Sequence, residues 1–100
     1  MAGLLENQVA VITGAGRGIG AATARLFAEQ GAKLVLSDLD PAPMTELAEE
    51  LRQAGAEVVC EAGDVTVPAF PDALMKKAAD SFGKLNVLVN NAGYTWDGMI

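Results

Sequence analysis

Four short apolar runs alternate with three longer stretches in which apolar residues recur every three or four positions. The runs are Val9-Ala10-Val11-Ile12-Thr13, Leu34-Val35-Leu36-Ser37, Glu57-Val58-Val59-Cys60 and Asn86-Val87-Leu88-Val89-Asn90. Each is nearly continuous in its apolar character, the pattern of strands covered on both faces, and so each reads as a buried strand. Between the first two, Ile19, Ala22, Leu26 and Phe27 form one apolar stripe, and Gly31 stops the helix that carries it. Between the second and third, Asp40 is a candidate N-cap ahead of Pro41, the stripe is Met44, Leu47, Ala48 and Leu51, and Gly55 is the stop. Between the third and fourth, Phe70, Leu74, Ala78 and Phe82 fall four apart, with Thr66 as candidate cap and Gly83 as terminator. The order β-α-β-α-β-α-β predicts an α/β fold with a doubly wound parallel sheet. Right-handed crossovers then give the strand order 3-2-1-4.

The densest signal lies where the first strand hands over to the first helix, at Thr13-Gly14-Ala15-Gly16-Arg17-Gly18-Ile19-Gly20. Glycine lets the backbone turn sharply and come close to a pyrophosphate, and the N–H groups and dipole of the helix that follows favour the phosphate oxygens. Asp38 ends the second strand about 20 residues further on, where a Rossmann-type domain places a carboxylate for a ribose hydroxyl. Asp is also common in turns and caps for local reasons, and that reading stays open beside the first. A nucleotide-hydrolysing phosphate loop needs Gly-Lys-Ser/Thr at the helix start, and Gly18-Ile19-Gly20 stands there instead.

Composition narrows the partners. Seven Lys and Arg stand against 13 Asp and Glu, for a net charge of -6, which argues against nucleic acid and against an anionic membrane surface. No apolar run approaches the roughly 18 residues of a membrane-crossing helix. Cys60 is the only cysteine and histidine is absent, so an intrachain disulfide, the usual zinc ligands and a His-based nucleophilic site are all missing from these 100 residues. With a start that lacks signal-peptide character, a cytoplasmic location is expected. Cys60 itself reads as a packing residue, since nothing basic beside it in sequence would lower its pKa.

The spacing of the glycine turn is Thr-Gly-x-x-x-Gly-x-Gly. Together with Asp64-Val65 after the third strand and Asn90-Asn91-Ala92-Gly93 after the fourth, it resembles the short-chain dehydrogenase/reductase family across almost the whole chain, most closely the branch of 3-oxoacyl-carrier-protein reductases. The resemblance implies a nicotinamide dinucleotide, with Gly14, Arg17, Gly18, Ile19 and Gly20 along the pyrophosphate and nearby ribose. Asp38, with Leu39 beside it, would hold the adenosine ribose. Asp64 and Val65 would meet the adenine, and Asn91, Ala92 and Gly93 would pass beneath the ribose on the nicotinamide side, while Asn90 braces the sheet. The charge of Asp38 favours NAD over NADP, and Arg17 pulls the other way as a guanidinium that could pair with a 2′-phosphate.

That family also implies hydride exchange between the cofactor and a small-molecule carbonyl or secondary alcohol, and a homotetramer. Its Ser and Tyr-x-x-x-Lys set is not met here: Tyr94 is the only tyrosine, and Gly98 stands four residues on. No catalytic residue is therefore assigned within the chain. Tyr94 and Trp96 either cover apolar surface or line a substrate entrance. Because the tail from Tyr94 to Ile100 follows the last strand without a terminating element, residues 1–100 are expected to be the cofactor-binding portion of one domain cut from a longer parent. Two readings of that parent remain open: an NAD(P)-dependent oxidoreductase, or a non-catalytic dinucleotide-binding or redox-sensing protein on the same fold.

Overall fold

A computed structural model describes residues 3–91. The elements are β1 (Val9–Thr13), α1 (Gly18–Glu29), β2 (Lys33–Asp38), α2 (Pro41–Gln53), β3 (Val58–Ala62), α3 (Phe70–Phe82) and β4 (Val87–Val89). The four strands make one parallel sheet in the order β3-β2-β1-β4. This is the expected topology, with β2 one residue longer at each end, β3 shifted toward its C-terminus, and β4 reduced to three residues.

The continuous apolar runs follow from a sheet with two covered faces. Ala10, Ile12, Leu34, Leu36 and Val58 pack with α1 and α2 in one core cluster. Val9, Val11 and Val35 pack with Leu74 and Ala78 of α3 in the other. The α2 stripe is buried at all four expected positions, and Asp40 caps that helix, its carboxylate accepting the Ala42 N–H at 3.2 Å. The α3 stripe also faces the sheet, and Gly83 ends the helix with φ 80°, a left-handed conformation that a side chain resists.

Two local expectations are corrected. In α1 the buried positions are Gly20, Ala21 and Ala24, with Phe27 packed beside them, while Ile19 is 76% and Leu26 54% exposed and Ala22 also faces outward. The helix lies so close to the strands that only small side chains fit beneath its first two turns, and the glycine turn feeding it sets its rotation. Thr66 does not cap α3, whose N-cap is Ala69 with no side-chain bond. It closes a turn on Asp64 instead.

The edges of the sheet are unlike. Along β3, Arg52 of α2 donates from Nε to the Val58 carbonyl at 2.9 Å, satisfying one acceptor of the open edge. Beyond β4 no strand pairs among the described residues.

Candidate dinucleotide site

All four parallel strands end at one edge of the sheet, and the glycine turn crosses it. Gly14 (φ 63°) and Gly18 (φ 60°) take backbone conformations that L side chains rarely adopt. The turn is anchored to the end of β2 by two N–H groups. Ala15 donates to the Ser37 carbonyl at 2.9 Å, and Gly16 donates to Asp38 Oδ2 at 2.7 Å. A Cβ on Gly16 would lie 2.8 Å from that carboxylate oxygen, so glycine is what allows the bond. A Cβ on Gly20 would overlap the Gly14 carbonyl oxygen, which is how the first turn of α1 comes to rest on the loop.

Helix α1 begins without a side-chain cap and without an acidic residue in its first turn, and its N-cap Arg17 is extended (φ -161°). Among the described residues, no side chain caps the positive end of the helix dipole. Above Gly18 the space is open: a Cβ there would meet no atom within 4 Å. Ile19 projects into solvent beside it.

The Asp38 carboxylate is half-buried and doubly held, accepting the Gly16 N–H on Oδ2 and the Asp40 N–H at 3.2 Å on Oδ1. Leu39, 69% exposed, stands between Asp38 and Asp40. Arg17 reaches across to Asp40, its Nη2 3.4 Å from Oδ2. The end of β3 is tied in by Gly63, whose N–H donates to the Asp38 carbonyl at 3.0 Å. Asp64 follows, its Oδ1 accepting the Thr66 N–H at 2.8 Å and the Thr66 hydroxyl at 2.6 Å. Those two bonds hold its carboxyl below the usual aspartate pKa. Val65 is half-buried in the same turn.

On the other side, Thr13 links β1 to the end of β4. Its hydroxyl accepts the Asn91 N–H at 2.9 Å and lies 3.3 Å from Asn90 Oδ1, and Asn91 Nδ2 donates to the Gly14 carbonyl at 3.4 Å. Ala92, Gly93, Tyr94 and Trp96 lie outside the described residues.

Gly14, Arg17, Gly18, Ile19, Gly20, Asp38, Leu39, Asp64, Val65 and Asn91 are thus all at or next to the C-terminal ends of the strands. The sequence reading did not single out Thr13, Gly16, Ser37 or Asp40 for this edge. Thr13 and Gly16 belong to the glycine octet and could have been found there; Asp40 was visible only as a helix cap. A groove of about 610 Å³, lined among others by Arg25, Glu29, Lys33, Glu50 and Glu57, lies at the opposite end of the strands and shares no residue with the glycine turn. Among the described residues no helix is long and apolar enough to cross a membrane, and no group of His, Cys, Asp and Glu is placed to hold a metal ion.

A parallel α/β sheet with a glycine turn and an uncapped helix start at its carboxyl edge defines a Rossmann-like domain. The chain belongs to the short-chain dehydrogenase family, whose model matches residues 8–100. It is 49% identical over 87 residues to a cis-4-hydroxycyclohexanecarboxylate dehydrogenase from Sinomonas cyclohexanicum, an alignment covering 87% of this chain and 34% of that one. It is 39% identical over 89 residues to a hydroxy(phenyl)methylsuccinyl-CoA dehydrogenase subunit from Thauera aromatica, covering 89% of this chain and 36% of the relative. Among solved structures, a short-chain dehydrogenase/reductase from Burkholderia phymatum in complex with NAD superposes with a TM-score of 0.86 at 43% identity, over 93% of this chain and 35% of that one. A hydroxysteroid dehydrogenase from Escherichia coli gives the same TM-score at 38% identity, over 90% and 38%. The chain therefore spans about a third of the length of these relatives.

Proposed function

We propose that the intact protein is an NAD-dependent oxidoreductase that exchanges hydride between the nicotinamide ring and a carbonyl or secondary alcohol, and that residues 1–100 form the part of its single domain that holds the cofactor. The observation that carries this reading is the closure of the glycine turn onto Asp38, with Gly16 N–H 2.7 Å from Oδ2, beside a helix start that has no cap of its own. A pyrophosphate fits the open space above Gly18 and the N–H groups of the first turn of α1, with Gly14, Arg17, Ile19 and Gly20 around it. Asp38 accepts from the adenosine ribose hydroxyls with Leu39 alongside, Asp64 and Val65 meet the adenine, and Asn91, Ala92 and Gly93 run under the second ribose. The preference for NAD over NADP rests on the carboxylate of Asp38, and the solved relative from Burkholderia phymatum carries NAD.

The bound cofactor supplies the hydride chemistry. What these residues contribute is position: two anchored N–H groups fix the loop, and Thr13 fixes Asn91 against it. The proton-transferring residues are assigned to the rest of the intact protein, so the 100-residue chain alone is expected to be inactive. For the substrate, a secondary alcohol is supported by the names of both curated relatives, each of which puts a hydroxyl on the compound dehydrogenated. A 3-oxoacyl thioester is the first candidate to test, and a cytoplasmic homotetramer is the proposed state.

The test is a titration of the intact protein with NADH and NADPH, followed by a dehydrogenase assay with NAD over a panel of secondary alcohols that includes 3-hydroxyacyl thioesters. Saturable NADH binding with turnover of any member supports the proposal. Binding without turnover of any alcohol or carbonyl supports the non-catalytic sensor instead, and failure to bind either dinucleotide removes both.

A further inference from the structure

Asp38 sits between two short segments whose backbones both donate to it: Gly16 to Oδ2 at 2.7 Å and Asp40 to Oδ1 at 3.2 Å. The side chains that follow on those segments, Arg17 and Asp40, then meet each other, Nη2 to Oδ2 at 3.4 Å. The ion pair thus spans the carboxylate that the proposed function assigns to the adenosine ribose. Arg17 is the one cation in the glycine octet, and the one group there that could attract a 2′-phosphate. Both side chains of the pair are largely exposed, 73% and 52%, and the Asp40 carboxylate is oriented because its other oxygen caps α2 through the Ala42 N–H at 3.2 Å.

We propose that Asp40 is a specificity-determining residue that works through Arg17. By pairing with the guanidinium it withholds from a 2′-phosphate the partner that the glycine turn would otherwise supply, and so reinforces the selection of NAD. Asp38 discriminates by repulsion at the ribose. Asp40 discriminates by occupying the competing cation, and it can do this because the helix cap orients it. This inference rests on the dinucleotide reading of the site and adds to it a residue that acts through Arg17.

The chemistry of the cap allows a clean test. Asparagine caps a helix as well as aspartate does, so Asp40→Asn removes the charge that holds Arg17 and keeps the bond to Ala42. Dissociation constants for NADH and NADPH are measured by fluorescence titration on the intact protein for the wild type, Asp40→Asn, Arg17→Ala and the double variant, with a thermal melt of each. The wild type should prefer NADH. Asp40→Asn should tighten NADPH by roughly two- to fivefold, the scale of an exposed ion pair, leave NADH within about twofold, and leave the melting temperature unchanged. In the Arg17→Ala background the same substitution should give no NADPH gain. A gain that persists without Arg17 overturns the inference, because Asp40 would then act only as a nearby negative charge; equal shifts for both cofactors, or a wild type that prefers NADPH, overturn it as well. A wild type that binds neither dinucleotide instead overturns the underlying reading of the site.

Discussion

Replacing Asp38 by alanine separates the task its carboxylate performs in the loop from the one proposed for it at the ribose. Inside the protein it accepts the Gly16 N–H at 2.7 Å and the Asp40 N–H at 3.2 Å; in the proposed site its remaining lone pairs are offered to the ribose hydroxyls. Bonds to an ionised acceptor contribute about 1.5–3 kcal/mol each. Because the carboxylate is only half-buried, water recovers part of that, and the loss of NADH affinity should be about 1–3 kcal/mol, or roughly 5- to 150-fold in Kd. NADPH should lose less or gain, since the negative charge facing its 2′-phosphate is gone. The freed Gly16 N–H is also half-buried, so the loop loses a tether valued at about 1 kcal/mol, a fall of roughly 2–4 °C in melting temperature for a protein of 150–250 residues. Fluorescence titration of both reduced cofactors beside a thermal melt reads all three numbers. An unchanged NADH affinity in a variant that melts lower would refute the ribose assignment and leave Asp38 as a loop anchor only.

Three further outcomes are expected. Gly18→Val places a branched side chain at φ 60° and fills the open space over the first turn of α1; it should abolish binding of NADH and NADPH while circular dichroism stays close to that of the wild type, and retained affinity would refute the phosphate-loop reading. Ser37→Ala removes a hydroxyl that is fully buried without a hydrogen-bond partner among the described residues, so stability should rise by about 1 kcal/mol; a lower melting temperature would mean that the hydroxyl is satisfied in solution. Asp64 has its folded-state pKa lowered by Thr66, so its contribution to stability is complete above the unfolded pKa of about 3.9 and is lost as pH falls through the lower folded value. Carboxyl chemical shifts should therefore place the Asp64 midpoint below that of an ordinary aspartate, and a midpoint at or above the ordinary value would contradict the turn geometry.

Most of the architecture was legible because strands buried on both faces need unbroken apolar runs, and helices packed on one side need spaced ones. The α2 stripe shows why this works: Met44, Leu47, Ala48 and Leu51 are large or neutral enough that burial alone decides which way they face. In α1 the same rule placed Phe27 correctly but Ile19, Ala22 and Leu26 on the wrong side. There the approach of helix to strand is limited by backbone contact at Gly20 and Gly14, so small residues take the inner face and Ile19 and Leu26 are left outside. Hydropathy counts carbon and cannot register that the closest contact is made by the residue with least of it. The glycine turn and Asp38 were legible from spacing, because a sharp turn after a strand requires those residues whatever surrounds it. The contact of Asp40 with Arg17 was not, since it is made between residues 23 positions apart, across a turn whose shape the sequence does not state.

The bond from Asn91 N–H to the Thr13 hydroxyl joins residues 78 positions apart. It means that the turn read first along the chain is completed only by the fourth strand: until β4 has docked beside β1, the bond that holds Asn91 beside the turn is not made, and one wall of the proposed cleft does not exist. During synthesis a nucleotide offered to the growing chain would find the glycine turn long before it found a site, and affinity would arise only once the fourth strand had been made and added. Ligand binding at the proposed site is on this account a report on the pairing of β4 with β1, and a lesion that loosens β4, however far from the glycines in sequence, is expected to weaken it.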